Sequence, residues 1–85
     1  MKTNAFNLKL AQKGEKVVTR EGRDIRLICF DHMYRGYKNI IIGLLKGKNI
    51  HEMLLRFNSN GINIDHIKNF DLQMANFYEI EDEKN

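Results

Sequence analysis

The chain has 85 residues, 42% hydrophobic and 29% charged, with a net charge of +3 and one cysteine. That length holds one domain and one core, burying roughly 60–65% of the unfolded surface. A single cysteine excludes an intramolecular disulfide, and the longest apolar run, Ile40 to Leu45, falls far short of the about 20 residues of a membrane span.

The charge is uneven. Residues 1–50 carry eleven Lys/Arg and four Asp/Glu, a net of +7; residues 51–85 carry three and seven, a net of −4. Such asymmetry fits a basic binding face with an acidic tail, or a surface that pairs with itself. Lys2 is not followed by an apolar stretch, so no signal peptide is expected and the expected compartment is a cytoplasm.

In chain order, Met1 to Ala5 is expected to fray. A short helix follows over 6–14: Asn7 suits the N-cap, Gly14 the left-handed end, and Phe6 with Ala11 a hydrophobic staple. About two turns are too few to stand alone, so the helix must dock on a sheet. Next comes a hairpin, Lys16 to Asp31, turning at Arg20-Glu21-Gly22-Arg23. A two-residue loop at Glu21-Gly22 would set Val18 opposite Ile25 and place Ile25, Leu27 and Cys29 on one buried face. Cys29 then reads as a small buried hydrophobe.

Gly36 marks a turn, and Ile40 to Leu45 reads as a strand that is apolar on both faces. Such a strand is central in a small barrel or lies against another chain. Lys46 to Asn49 is a second turn. Ile50 to Phe57 alternates, with Met53, Leu55 and Phe57 toward the core. Asn58 to Gly61 is a third turn, Ile62 to Ile64 a short return strand, and Asp65 a candidate cap for one helical turn. Leu72 and Met74 suit a last strand, and residues 79–85 a mobile acidic tail. The expected fold is mainly β (α+β): one domain over 1–85, a small antiparallel meander over 16–75 or a partly closed barrel of about five strands, with one short N-terminal helix.

The order FNLKLAQKG, VVTREGRDIRLICFD, YKNIIIGLLKG, a turn with Asn60-Gly61, and FDLQM resembles a family of short uncharacterised proteins of phages, prophages and bacterial genomes. That family carries a V-x-T-R-D-G-R-x-x-R-I hairpin and a D-L-x-M ending. The likeness covers roughly residues 6–75 and is most specific at Thr19-Arg20-Glu21-Gly22-Arg23 and Asp71-Leu72-Gln73-Met74. Lys38-Asn39 stands where the pattern has a proline, and Leu54-Leu55 where it has tyrosines. The resemblance implies a mostly β accessory protein of a mobile element in a bacterial host; it implies no site residue.

No catalytic constellation stands out. Along a regular strand Cys29 and Asp31 point one way and His32 the other, so they form no Cys–His pair. The three histidines and Cys29 lack metal-ligand spacing, and no phosphate loop is present, so neither metal nor cofactor is expected. Two binding surfaces remain. One is basic and aromatic: Arg20, Arg23 and Arg26 at the hairpin, with Tyr34, Arg35, Tyr37 and Lys38 in the following loop, fitted to phosphates and unpaired bases. The other is apolar, Ile40, Ile41, Ile42, Leu44 and Leu45, fitted to a symmetric homodimer. The function expected from these is non-enzymatic: binding a partner protein, as an inhibitor of a host defence or regulatory protein. The alternative is a small nucleic-acid-binding module.

Overall fold

The structure is a computed structural model and describes residues 1–47 and 51–80. Its elements are β1 (Lys2–Ala5), α1 (Leu8–Gln12), β2 (Val17–Thr19), β3 (Ile25–Tyr34), β4 (Tyr37–Lys46), β5 (Glu52–Phe57), a 3₁₀ turn (Lys68–Phe70) and β6 (Leu72–Glu79). Two antiparallel sheets form, in the orders β1-β6-β2 and β3-β4-β5. The mainly β class with one short helix is as expected. The barrel does not close, and the meander is broken because β6 returns to the centre of the first sheet.

The N-terminus is not frayed. Lys2 pairs with Glu79 and Thr3 with Tyr78, and the terminal amino group lies 3.0 Å from a Glu79 carboxylate oxygen. The acidic end thus begins as strand; residues 81–85 of the expected tail lie outside the described residues, as do Lys48 to Ile50 beside the second turn. In α1 the Asn7 side chain accepts from the Leu10 amide at 3.0 Å, which caps the first turn as expected. The helix covers only Leu8–Gln12, and Gly14 (φ +94°) follows it.

The Lys16–Asp31 hairpin differs from the expected register. The Thr19 amide donates to the Arg23 carbonyl at 2.9 Å and the Gly22 amide to the Thr19 carbonyl at 2.7 Å. This is a three-residue loop with Gly22 left-handed at φ +84°, so Val18 bridges Asp24 rather than Ile25. That bridge is isolated: β2 belongs to the first sheet and β3 to the second, and the hairpin is the corner between them.

The core fills the space between the sheets. Val17, Leu72 and Met74 come from the first sheet, Ile25, Ile41, Leu45, Leu55 and Phe57 from the second, and Ala11 from the helix. Ile41, Leu45 and Phe57 are wholly buried, each contributing about 1.5–3 kcal/mol relative to exposure. Met53, expected in this set, is 45% exposed, since it lies at the start of the edge strand β5, away from the buried Leu55 and Phe57. Cys29 leaves the core face altogether. A bulge between Leu27 and Cys29 puts Leu27 opposite Gly43 but Cys29 opposite Ile42, so the half-buried thiol lies on the outer face. A second shift places His32 opposite Ile40 on that same face. Cys29 and His32 therefore share a face, against expectation, but no hydrogen bond joins them among the described residues.

The doubly apolar strand is β4, central in the second sheet. Its inner row is Ile41, Gly43 and Leu45; its outer row is Ile40, Ile42 and Leu44. Among the described residues no second layer covers the outer row, yet Ile40 and Ile42 are 5% exposed and Leu44 is half-buried. Side chains of the flanking strands cross over it. Arg26 of β3 reaches Glu52 of β5 at 2.8 Å, passing the Leu44 level, and Arg56 of β5 reaches the Tyr34 ring of β3 at 4.4 Å, passing the Ile40–Ile42 level. The patch expected to seek a second copy, Ile40, Ile41, Ile42, Leu44 and Leu45, is thus covered within one chain.

Gly43 sits where Ile25 and Leu27 converge: a Cβ there would lie 2.8 Å from Ile25 Cδ1 and 3.1 Å from Leu27 Cδ2. We expect Gly43→Val to lower stability by about 1–3 kcal/mol through overpacking. Gly22→Ala, with open space around its Cβ, should cost only the left-handed conformation, about 1 kcal/mol. Urea unfolding distinguishes them; equal midpoint shifts would mean that Gly43 has room.

Candidate functional site

The predicted basic surface is divided by the length of β3. Arg23 and Arg26 lie near its start and Tyr34 and Arg35 at its end, roughly 25 Å away at strand rise. The first group is largely engaged. The Arg23 guanidinium donates to the Lys46 carbonyl at 2.9 Å, and Arg26 holds Glu52. Arg20 is exposed beside Asp71 and Leu72. The three arginines therefore form no continuous phosphate-binding row.

The second group forms a site. Tyr34 and Tyr37 pair across a two-residue turn, Arg35-Gly36, with φ +51° and +82°, the type I′ geometry that suits right-twisted hairpins. Arg35 and Arg56 place their guanidiniums 5.3 and 4.4 Å from the Tyr34 ring centroid, and His32 stacks on it at 6.3 Å. Cation–π contacts of this kind contribute about 0.5–2 kcal/mol each. Among the described residues the buried Arg56 Nε has no hydrogen-bond partner. Tyr37 is 71% exposed, and Lys38 beside it is exposed too.

A loop closes the other side. The Asn58 side chain accepts from the Asn60 and Ile62 amides at 2.9 and 3.1 Å, and Asn63 is the loop's wholly buried hub. Its Oδ1 accepts from the Asp65 and Ile67 amides at 3.1 and 3.3 Å, its amide donates to Asp71 Oδ1 at 2.9 Å, and its Nδ2 donates to the Arg56 carbonyl at 3.4 Å. The expected return strand reduces to one bridge, Phe57 to Asn63. Asp65 caps no helix; the 3₁₀ turn begins three residues later, because Asn63 takes up the backbone donors at 65 and 67.

Between turn and loop lies a cleft of about 440 Å³, lined among others by Tyr34, Arg35, Tyr37, Asn58, Asp65 and His66. Among the described residues three non-glycine positions have positive φ: Arg35, Asn39 and His66. Two of them line the cleft and Asn39 precedes its lining residue Ile40. Holding Arg35 and His66 there costs on the order of 1 kcal/mol each relative to glycine. No group of three metal-ligating side chains occurs among the described residues, and none of their helices is long and apolar enough to cross a membrane.

The sequence reading grouped Tyr34, Arg35, Tyr37 and Lys38 but missed Arg56, Asp65 and His66. Arg56 already stood on the polar side of an alternating strand; what placed it against Tyr34 was the register of β4 with both neighbours. Comparison of the chain with family models, curated proteins and solved structures found no match.

We expect Asn63→Ala to destabilise the protein by about 2–4 kcal/mol, since it strands several buried backbone partners. Thermal unfolding checks this. Faster amide exchange confined to residues 58–71 would locate the loss in the loop that walls the cleft.

Proposed function

We propose that this chain acts by binding and not by catalysis, as an accessory protein of a phage or prophage in the cytoplasm of a bacterial host. It occupies the surface of a partner protein and so inhibits a defence or regulatory factor. The observation that carries this reading is the outer edge of β5. Met53 and Leu54, on opposite faces of this edge strand, are 45% and 47% exposed, and Ile28 across the sheet is 49% exposed. The Arg56 carbonyl accepts from Ile64 on the side away from β4, so Glu52 and Leu54, in phase with Arg56, turn their backbone groups outward. Among the described residues nothing pairs with those groups. An extended apolar segment of a partner fits there as an added strand, with main-chain hydrogen bonds for affinity and Leu54 for selectivity.

A nucleic-acid partner is the second reading, and the Tyr34–Arg35–Arg56 cluster with exposed Tyr37 favours it. The test is capture from a bacterial lysate with and without nuclease. The first reading expects a nuclease-resistant protein whose retention falls about tenfold or more with Leu54→Asp. Retention unchanged by Leu54→Asp removes the β5 edge as the surface. Loss of the partner on nuclease treatment supports the second reading.

A further inference from the structure

The cleft carries two opposite charges that do not meet. Arg35 and Asp65 both line it, and among the described residues neither belongs to an ion pair. A ligand that fills the cleft gains most when it brings an anion to Arg35 and hydrogen-bond donors to Asp65. Tyr34 already has two guanidiniums and His32 against its ring, whereas Tyr37 is 71% exposed and free to stack. The volume, about 440 Å³, lies within the roughly 300–1,000 Å³ of small-molecule sites.

We infer that the cleft between the β3–β4 turn and the 58–66 loop is a binding site for a guanine nucleotide unit, free or within a single strand. The planar guanidinium of Arg35 matches a phosphate, and His66 adds a second nitrogen group to the same wall. The base stacks on Tyr37. The Asp65 carboxylate is an acceptor only, so it suits a base edge with adjacent donors. Guanine presents a ring N–H beside an amino group. Adenine and cytosine present an amino group beside an acceptor nitrogen, which a carboxylate repels; uracil presents one N–H between two carbonyls. Arg35 and His66 also occupy left-handed backbone positions that favour glycine or asparagine, so the chain keeps side chains there against its own backbone preference. The inference rests on the nucleic-acid reading, whose residues it shares, and is independent of the protein-partner reading, since Leu54 pairs with Leu44, seven residues along β4 from Tyr37.

The test is an amide-shift titration of the isotope-labelled full chain with GMP, with AMP, and with the short single strands UUGUU and UUAUU. GMP should shift Arg35, Tyr37 and Asp65 at lower concentration than AMP. Tyr37→Ala should weaken GMP about tenfold, and Asp65→Asn should bring GMP and AMP to parity. Both residues are exposed, and circular dichroism verifies that each variant keeps its sheets. UUGUU binding tighter than GMP assigns the site to a strand; GMP binding as tightly or tighter assigns it to the free nucleotide. No cleft shifts at millimolar GMP, equal response to GMP and AMP in the unchanged chain, or GMP affinity that survives Tyr37→Ala would overturn the assignment.

Discussion

The fold depends on covering both faces of β4. Its inner row packs against the first sheet, a conventional solution in which two layers share one core. Among the described residues its outer row has no layer to meet. An 85-residue chain has spent its helix and first sheet on the inner side. The outer row is closed instead by long polar side chains from both neighbouring strands, Arg26 to Glu52 and Arg56 to Tyr34. The ion pair itself adds little, with side chains 62% and 40% exposed, typically 0–1 kcal/mol. Its larger effect is geometric: aliphatic stems and a tyrosine ring lie over isoleucines that would otherwise face water.

This device explains which parts of the fold were legible. Alternation in β5, the Asn7 cap and the turn glycines are local signals, and they gave the β class and the helix. A doubly apolar strand signals only that both faces are covered; it does not say by what. Closure by arginine side chains depends on cross-strand register, and that register rests on bulges in β3 and the left-handed Asn39 in β4. Nothing in Leu27-Ile28-Cys29 marks an extra residue, so period-two counting carried Cys29 to the wrong face. The β1–β6 pairing joins the two ends of the chain and has no local signature at all.

The cleft follows from the same register. Arg56 reaches Tyr34 because β4 lies between them, and the Arg56 carbonyl holds Asn63, which shapes the far wall. One residue thus roofs the outer row, orients an aromatic ring at the turn and anchors the loop opposite. The tyrosines and Arg35 were readable as a loop cluster. Asp65 and His66 were not, because they reach the cleft through Asn63, whose side chain replaces the helical turn that Asp65 suggested.

The same end of the molecule carries local backbone cost. A domain of this size has on the order of 4–13 kcal/mol in hand. Arg35 and His66 sit at left-handed positions. Together these subtract on the order of 2 kcal/mol. Glycine at 35 and 66 would relieve much of that cost without touching the core between the sheets. The cost is concentrated around one cleft and not spread over the surface. Among the described residues the edge strand β5, whose Leu54 pairs seven residues along β4 from the turn, has no left-handed position, so the backbone cost and the exposed apolar edge lie at opposite ends of the sheet.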